Sequence, residues 1–203
     1  EGAARREAAR ISGLAYERLA ESGVAGKTEK QLAFEVETHM RAEVADDRSF
    51  PAIVASGAQG ALPHAQSRDA PVERDTLMVV DMGCVVEGYC SDCTRTFATG
   101  ALSDEAQAIY DLVSQSQLAA LDAVRAGADC RAVDAVSRDV ITAAGHGDHY
   151  GHGLGHGVGL DVHEEPRLAQ TASGELATGN TVTVEPGVYL PGVLGVRIED
   201  LVA

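Results

Sequence analysis

Five residues that could ligate metal ions are spread over short segments of this 203-residue chain. They are four carboxylates and one imidazole, namely Asp81, Asp92, His156, Glu185 and Glu199. Asp81 and Glu185 each end an apolar, β-like run, over residues 76–81 and 181–185. Carboxylates at such positions are costly to bury unless cations or hydrogen-bond donors compensate them. Because four carboxylates and an imidazole can satisfy two hard or borderline divalent ions, the pattern predicts a two-metal site.

The acids recur along the chain at an almost constant spacing. Asp81 precedes Glu185 by 104 residues, and the helix-stopping glycines of the two halves are also 104 residues apart. Asp92 precedes Glu199 by 107 residues. Matching acid positions are harder to attribute to chance than matching element order. The spacing therefore predicts an internal duplication.

Helix signals support a duplicated unit of two helices followed by two strands, each strand carrying one acid. Thr28 and Gln31 form a capping-box pattern before one helix, and Asp129 is placed to cap another. The predicted fold class is α+β, a single domain with two pseudo-symmetric ααββ halves at approximately 1–102 and 103–203. The helices are expected outside a curved antiparallel sheet, with the acids converging where the halves face each other.

Composition narrows the classes of partner. The net charge of −15 argues against nucleic acid or an anionic membrane as the main partner. No long apolar run marks a transmembrane span or a signal peptide.

Cys90 and Cys93 form a C-x-x-C pair, but no second pair stands at zinc-site spacing. The four cysteines are therefore interpreted as reduced and structural, which predicts a cytoplasmic protein.

The histidines indicate a catalytic or metal-binding site only when they are considered together with the acids. His146 and His149 fall in a Gly-rich loop without an evident role. Residues 151–159 carry His152 and His156 among glycines at phosphate-loop-like spacing, but no Lys and no βαβ unit accompany them. Small residues in this segment are better explained as letting backbone and imidazoles crowd around an ion.

As a set, these motifs resemble the catalytic domain of the methionine aminopeptidase/Xaa-Pro peptidase superfamily, which has the pita-bread fold. The resemblance is densest at residues 49–64, 81–100, 152–166 and 181–203. The first of the two histidines at 152 and 156 makes it more similar to Xaa-Pro dipeptidases and aminopeptidases than to methionine aminopeptidases. It implies an exopeptidase that removes the amino-terminal residue from peptides with proline in second position. A methionine-type aminopeptidase and a non-catalytic binding relative remain the alternatives.

The resemblance also assigns the ligands to ions. It implies that Asp81 holds one ion, that Asp92 and Glu199 bridge both, and that His156 and Glu185 complete the other. Arg197, two residues before Glu199, is expected to orient Asp81. The expected cofactor is a pair of divalent ions, with Mn²⁺ first and Co²⁺ or Zn²⁺ as alternatives, because O-rich mixed ligation does not select sharply.

Two neighbouring ions would lower the pKa of a bridging water, and the resulting hydroxide would attack the scissile carbonyl. Glu185 is the candidate to take the proton and return it to the leaving nitrogen. By resemblance, His64 and His163 are catalytic imidazoles that flank the substrate and help to stabilise the oxyanion. His152 would help to bind the residue after the cut.

The chain begins at Glu1 rather than Met and ends just after the last carboxylate. We therefore expect a fragment that lacks an amino-terminal domain. Xaa-Pro peptidases commonly carry such a domain, which shapes the entrance and the dimer contact, so a homodimer formed through it is also expected. The expected partner is a peptide substrate, with no nucleic acid and no membrane.

Overall fold

The computed structural model describes residues 1–203 and contains four α-helices and twelve short strands. The helices are α1 (Gly2–Ser22), α2 (Glu29–Ala42), α3 (Asp104–Ala123) and α4 (Cys130–Ala143). The first six strands are β1 (Asp47–Arg48), β2 (Ile53–Ser56), β3 (Leu77–Met82), β4 (Cys84–Val86), β5 (Tyr89–Cys90) and β6 (Cys93–Ala98). The other six are β7 (Gly155–Gly157), β8 (Glu164–Leu168), β9 (Val182–Val184), β10 (Gly187–Leu190), β11 (Leu194–Arg197) and β12 (Asp200–Val202). Two short 3₁₀ helices span Gly57–Ala61 and Gly147–His149.

The predicted helix starts are confirmed. The Thr28 hydroxyl accepts a hydrogen bond from the Gln31 amide at 3.2 Å, and the Gln31 side chain accepts one from the Thr28 amide at 2.8 Å. Asp129 caps α4 by accepting from the Ala132 amide at 2.8 Å. These contacts satisfy amide groups that have no partner within the first turn of a helix. Gly23 ends α1 with a φ of 69°, a backbone conformation that glycine adopts at little cost.

Every strand pairing is antiparallel, as expected. One sheet has the order β2-β3-β6 and a second has the order β12-β9-β7-β8, while β1-β4-β5 and β10-β11 form smaller sheets. The prediction of two strands per half was wrong, because six strands precede α3 and six follow α4. Some, such as β1, β2 and β8, are additional strands, and others arise where the chain is interrupted near the acids. At one interruption the Ser91 amide donates to the Cys84 carbonyl, and a Cβ on Gly83 would lie only 2.0 Å from the Ser91 carbonyl oxygen. The close crossing at Gly83 therefore separates β3 from β4.

Helices pack against the sheets through three apolar clusters. The first joins α1 and α2 to β2 and β3, and includes Ile11, Leu32, Val36, Val54 and Val80. The second joins α3 to β10 and β11, and includes Ile109, Val113, Val188 and Val196. The third lies under α4, with Val133, Leu154, Leu168 and Val184. The order of helices and then strands occurs in both halves, and the duplication itself stays a prediction.

Two further features bear on the sequence analysis. None of the four helices combines the length and the apolar character that a membrane-crossing segment requires. All four cysteines are unpaired, and three of them, Cys84, Cys90 and Cys130, are buried.

Candidate metal centre

The five predicted ligands come from five separate places in the fold but line one cavity of about 660 Å³. They are Asp81 within β3, Asp92 between β5 and β6, His156 in β7, Glu185 directly after β9, and Glu199 between β11 and β12. Antiparallel pairing explains part of the convergence. The central strand of one sheet carries Asp81, while β9 pairs with both β7 and β12 and so gathers the other elements. Turns and strand breaks then direct these side chains to the same space.

Two groups of candidate ligands overlap at one residue. Ligand atoms of Asp81, Asp92 and Glu199 lie within 4.8 Å of one another, and so do those of Asp92, His156 and His163. The imidazole Nε2 of His156 also lies 3.2 Å from Oε1 of Glu185 and 3.7 Å from Oδ2 of Asp92. The cavity thus has one side rich in carboxylate oxygen and one side with imidazole nitrogen.

The buried carboxylates of the cavity are not fully compensated by hydrogen bonds or by positive charge. Oδ1 of Asp81 and Oε1 of Glu199 are buried without a hydrogen-bond partner. Burial and, to a smaller extent, the negative charge of Glu199 raise the pKa of Asp92 well above its ordinary value. Burial, followed by the charge of Glu185, does the same to the pKa of Glu199. A bound cation would pair these orphaned oxygens and offset their repulsion, so the donor set fits divalent ions.

Arg197 is the one basic side chain fully buried against this cluster. Its Nη2 donates to Oδ2 of Asp81 at 2.6 Å, in agreement with the predicted contact. Its Nε donates to the Thr94 hydroxyl at 3.0 Å, and that hydroxyl donates in turn to Glu199 at 2.8 Å. Its Nη1 donates to the Pro63 carbonyl at 3.1 Å, which connects it to the loop before His64. A planar guanidinium can hold several acceptors in one fixed arrangement, so Arg197 orients parts of both halves of the chain.

The predicted histidines lie at different depths. His152 is partly buried, and its two ring nitrogens are both engaged, Nδ1 with the Gly153 carbonyl at 2.7 Å and Nε2 with the Tyr189 hydroxyl at 2.8 Å. A carbonyl only accepts, so Nδ1 carries the hydrogen and Nε2 of the neutral ring accepts from Tyr189. Burial lowers the pKa of His152, which favours that neutral ring. His163 lies edge-on to the His156 ring at 4.4 Å, whereas His64 lines the cavity from an exposed position.

Glu185 is tied into the site through two contacts. Its Oε1 accepts from the Thr183 hydroxyl at 2.9 Å and faces His156. Burial alone would raise the pKa of Glu185, but the His156 hydrogen bond and the charge of Arg197 lower it below the ordinary value. Glu185 is therefore ionised beside a group that can balance its charge.

Some residues at the cavity had no place in the sequence analysis. Tyr189 connects His152 to Arg197, since its hydroxyl also accepts from Arg197 Nη1 at 3.1 Å. The available signal was a tyrosine in an apolar strand four residues after Glu185, because a buried hydroxyl needs a polar partner. Phe50 and Arg167 also line the cavity. By contrast, His146 and His149 face each other, with their Nδ1 atoms 3.4 Å apart, and do not line it.

The chain is similar in sequence to known metallopeptidases. The family model of metallopeptidase family M24 matches residues 3–203. The Xaa-Pro dipeptidase of Pyrococcus furiosus is 41% identical over 177 residues, which are 87% of this chain and 51% of that protein. An uncharacterised peptidase of Bacillus subtilis, YqhT, is 43% identical over 194 residues, which are 96% of this chain and 55% of that protein. The chain thus spans about half the length of the curated relatives it matches.

The similarity extends to three dimensions. The crystal structure of a recombinant prolidase from Thermococcus sibiricus has a TM-score of 0.98 and 40% sequence identity. That match covers 100% of this chain and 56% of the prolidase. The two chains therefore share the same fold over the whole of the present sequence.

Proposed function

Since the chain belongs to metallopeptidase family M24 and shares the fold of a prolidase, we propose that it is a metal-dependent exopeptidase domain for Xaa-Pro peptides. The observation that carries the proposal is the convergence of four carboxylates and an imidazole in one cavity. The similarity to a Pyrococcus furiosus Xaa-Pro dipeptidase supports proline in second position of the substrate. The proposed reaction is hydrolysis of the first peptide bond, releasing the amino-terminal residue.

The donor atoms suggest how two ions are held. Asp81 would serve one ion, Asp92 and Glu199 both, and His156 and Glu185 the other. The oxygen-rich side, with its two orphaned oxygens, suits a hard ion, and the mixed side accepts a borderline one. We propose Mn²⁺, with Co²⁺ or Zn²⁺ able to bind. When bound, such ions supply an acidified water as nucleophile and polarise the scissile carbonyl.

The protein's own groups would handle the proton and the substrate. Glu185 takes the proton from the nucleophile and delivers it to the leaving nitrogen, as a general base and then a general acid. His64 and His163 line the cavity next to the ligands, where an imidazole can donate to the carbonyl oxygen as negative charge develops on it. His152 lines the cavity and would help to bind the residue after the cut, while its Nε2 accepts from the Tyr189 hydroxyl.

The cavity is suited to a short peptide. Its volume lies within the range of small-molecule sites, roughly 300–1,000 Å³. Phe50, Pro51 and Ile53 supply apolar wall beside the charged ligands. A proline nitrogen in the scissile bond has no hydrogen, so the protein must recognise the ring by its shape and by apolar contact. An apolar wall next to the polar centre meets that requirement.

A substrate panel tests the proposal. The chain is stripped of metal, reconstituted with Mn²⁺ and assayed with Ala-Pro, with longer Xaa-Pro peptides and with Met-Ala peptides. We expect hydrolysis of the Xaa-Pro substrates and a lower kcat/KM for Met-Ala. A preference for Met-Ala would replace the proposal by a methionine-type aminopeptidase. Metal binding without hydrolysis of any peptide would indicate a non-catalytic relative.

The cytoplasmic location and the homodimer stay predictions. The four unpaired cysteines support a reducing compartment.

A further inference from the structure

Two buried carboxylates lie outside the candidate metal centre, and each is paired with an arginine. Asp134 is on α4 and Glu29 is in the first turn of α2, and both are completely shielded from solvent. Neither lines the 660 Å³ cavity. The Arg138 side chain is also largely buried, whereas that of Arg68 is 41% exposed, so in the second pair only the carboxylate is buried. A buried carboxylate is costly unless charged or hydrogen-bonding partners compensate it, so the contacts of Asp134 and Glu29 are informative.

The pair on α4 binds the segment that carries His152. Arg138 and Asp134 form two parallel hydrogen bonds of 2.9 Å. Arg138 also donates to the Tyr150 carbonyl at 3.0 Å and to the His152 carbonyl at 2.7 Å, while Asp134 accepts from the Leu154 amide at 2.9 Å. One ion pair thus holds three alternate residues of this segment by their backbone, with the guanidinium 4.2 Å from the centre of the Tyr150 ring.

The pair at α2 binds both ends of the segment that carries His64. The Glu29 carboxylate accepts from the Ser56 amide at 2.9 Å and from the Ser56 hydroxyl at 3.0 Å. It also accepts from the amide of Arg68 at 2.9 Å and from its guanidinium at 2.8 and 2.9 Å. Ser56 and Arg68 bracket residues 57–67, so a single carboxylate closes this loop at its base.

We propose that Asp134–Arg138 and Glu29–Arg68 are positioning pairs, each of which fixes the backbone of a loop that presents one histidine to the metal centre. The inference rests on the proposed peptidase function for its catalytic consequence. None of the four residues lines the cavity, so each pair acts through the backbone of the loop that it holds.

The glycines on either side of His152 explain why the backbone of this loop needs contacts that hold it in place. Gly151 and Gly153 flank His152, and glycine leaves the backbone free to adopt many conformations. A side chain at Gly153 is not accommodated, because its Cβ would lie 2.7 Å from the Leu168 carbonyl oxygen. Since packing of side chains cannot fix residues 151 and 153, the carbonyl and amide contacts from α4 supply the constraint.

Replacing both members of a pair by neutral amide side chains tests the role of the pair without leaving an unpaired charge in the interior. The amide variants keep an acceptor for the loop amides but lose the multiple charged contacts. An exposed helical pair on α1 provides the matched control. The variants are Asp134→Asn with Arg138→Gln, Glu29→Gln with Arg68→Gln, and, as the control, Glu7→Gln with Arg10→Gln.

Double-mutant cycles with the Mn²⁺-loaded chain and Ala-Pro then show whether a pair acts through its histidine. Neutralising Asp134 and Arg138 should lower kcat/KM about tenfold or more, because a small displacement of the residues around the substrate has a large effect on the rate. In a His152→Ala background the same change should cost less than about twofold, since the group it positions is gone. Glu29 with Arg68 should show the same coupling to His64, and the control pair should change nothing.

Hydrogen exchange separates this inference from the proposed function. Amides of residues 150–154 should exchange faster in the α4 variant only, and those of residues 57–67 in the α2 variant only, with the helices still protected. Unchanged exchange in these loops would overturn the inference, and so would equal losses of kcat/KM with and without the histidine. If the unmodified chain hydrolyses no peptide, the proposed function is wrong, and loop exchange alone then decides whether the pairs position these segments.

Discussion

Replacing Arg197 by methionine should destabilise the metal-free protein more than any other single change at the centre. The guanidinium is buried and donates to Asp81, Thr94, Pro63 and Tyr189. Methionine fills a similar length without a charge or a donor. Asp81 would then be left with one oxygen that already lacks a partner and a second that has just lost one.

The expected loss follows from the charge that is left behind. Removing one partner of a buried ion pair costs about 3–5 kcal/mol, chiefly because the other charge stays buried and uncompensated. The hydroxyl and carbonyl acceptors add less, because a neutral hydrogen bond contributes only about 1 kcal/mol net. Against a typical unfolding free energy of about 5–15 kcal/mol, the loss is a large fraction of the total. A bound cation would compensate Asp81 in place of Arg197, so the loss should be smaller in the Mn²⁺-loaded protein.

Urea unfolding with chelator and at saturating Mn²⁺ measures both quantities, provided that the denaturant slope is unchanged. Arg197→Lys is the matched control, because it keeps the charge but cannot reach all four acceptors, and it should fall between the other two proteins. A loss below about 1 kcal/mol in chelator, on the scale of an exposed pair, would refute the reasoning. Equal losses with and without Mn²⁺ would refute the link to the metal.

Glu185→Gln should lower turnover of Xaa-Pro peptides about 10²-fold or more, the scale of a lost general base, and near-normal turnover at full metal content would remove it from the mechanism. His152→Ala should lower kcat/KM at least about tenfold, or about 1.4 kcal/mol, with both ions retained, whereas His149→Ala should leave it unchanged. Equal effects of these two substitutions would contradict the role of His152. The chelated protein should be more stable at mildly acidic than at neutral pH in thermal unfolding. Burial and neighbouring carboxylates raise the pKa of Asp92 and Glu199, so stability is lost as pH rises from their ordinary range through the raised values. The raised pKa values of Asp81 and His156 act in the same direction. The lowered pKa values of Glu185, His152 and His163 act in the opposite direction, but the pKa values raised furthest are those of Asp92 and Glu199. Stability that increases over this range would contradict the charge assignment.

Local features of the fold could be predicted from the sequence where a few adjacent residues determine them. Thr28 and Gln31 satisfy each other's amides over one turn, and Asp129 needs only its own helix. The same holds for the apolar runs that end at Asp81 and Glu185. Strand interruptions could not be predicted, because the break near Ser91 depends on a close crossing with Gly83, which is a tertiary contact.

In the candidate site too, some residues could be predicted from the sequence, whereas others depend on tertiary contacts. Carboxylates at the ends of apolar runs indicate the ligands, because burying them requires a compensating charge. The sequence also suggested the contact of Arg197 with Asp81, 116 residues away. It did not suggest Tyr189, whose hydroxyl meets His152 only after β10 and the His152 loop have packed together. Asp134 and Arg138 read as an ordinary pair four residues apart on a helix, and only their burial reveals the backbone they hold.

The most direct test of the central claim is the rate of Ala-Pro hydrolysis as Mn²⁺ is titrated into the chelated protein. The five converging ligands predict no hydrolysis without metal and a rise to a plateau at about two ions per chain. Full hydrolysis in the presence of excess chelator would contradict the account. So would a protein that binds no divalent ion at saturating supply, because the buried carboxylates would then need another explanation.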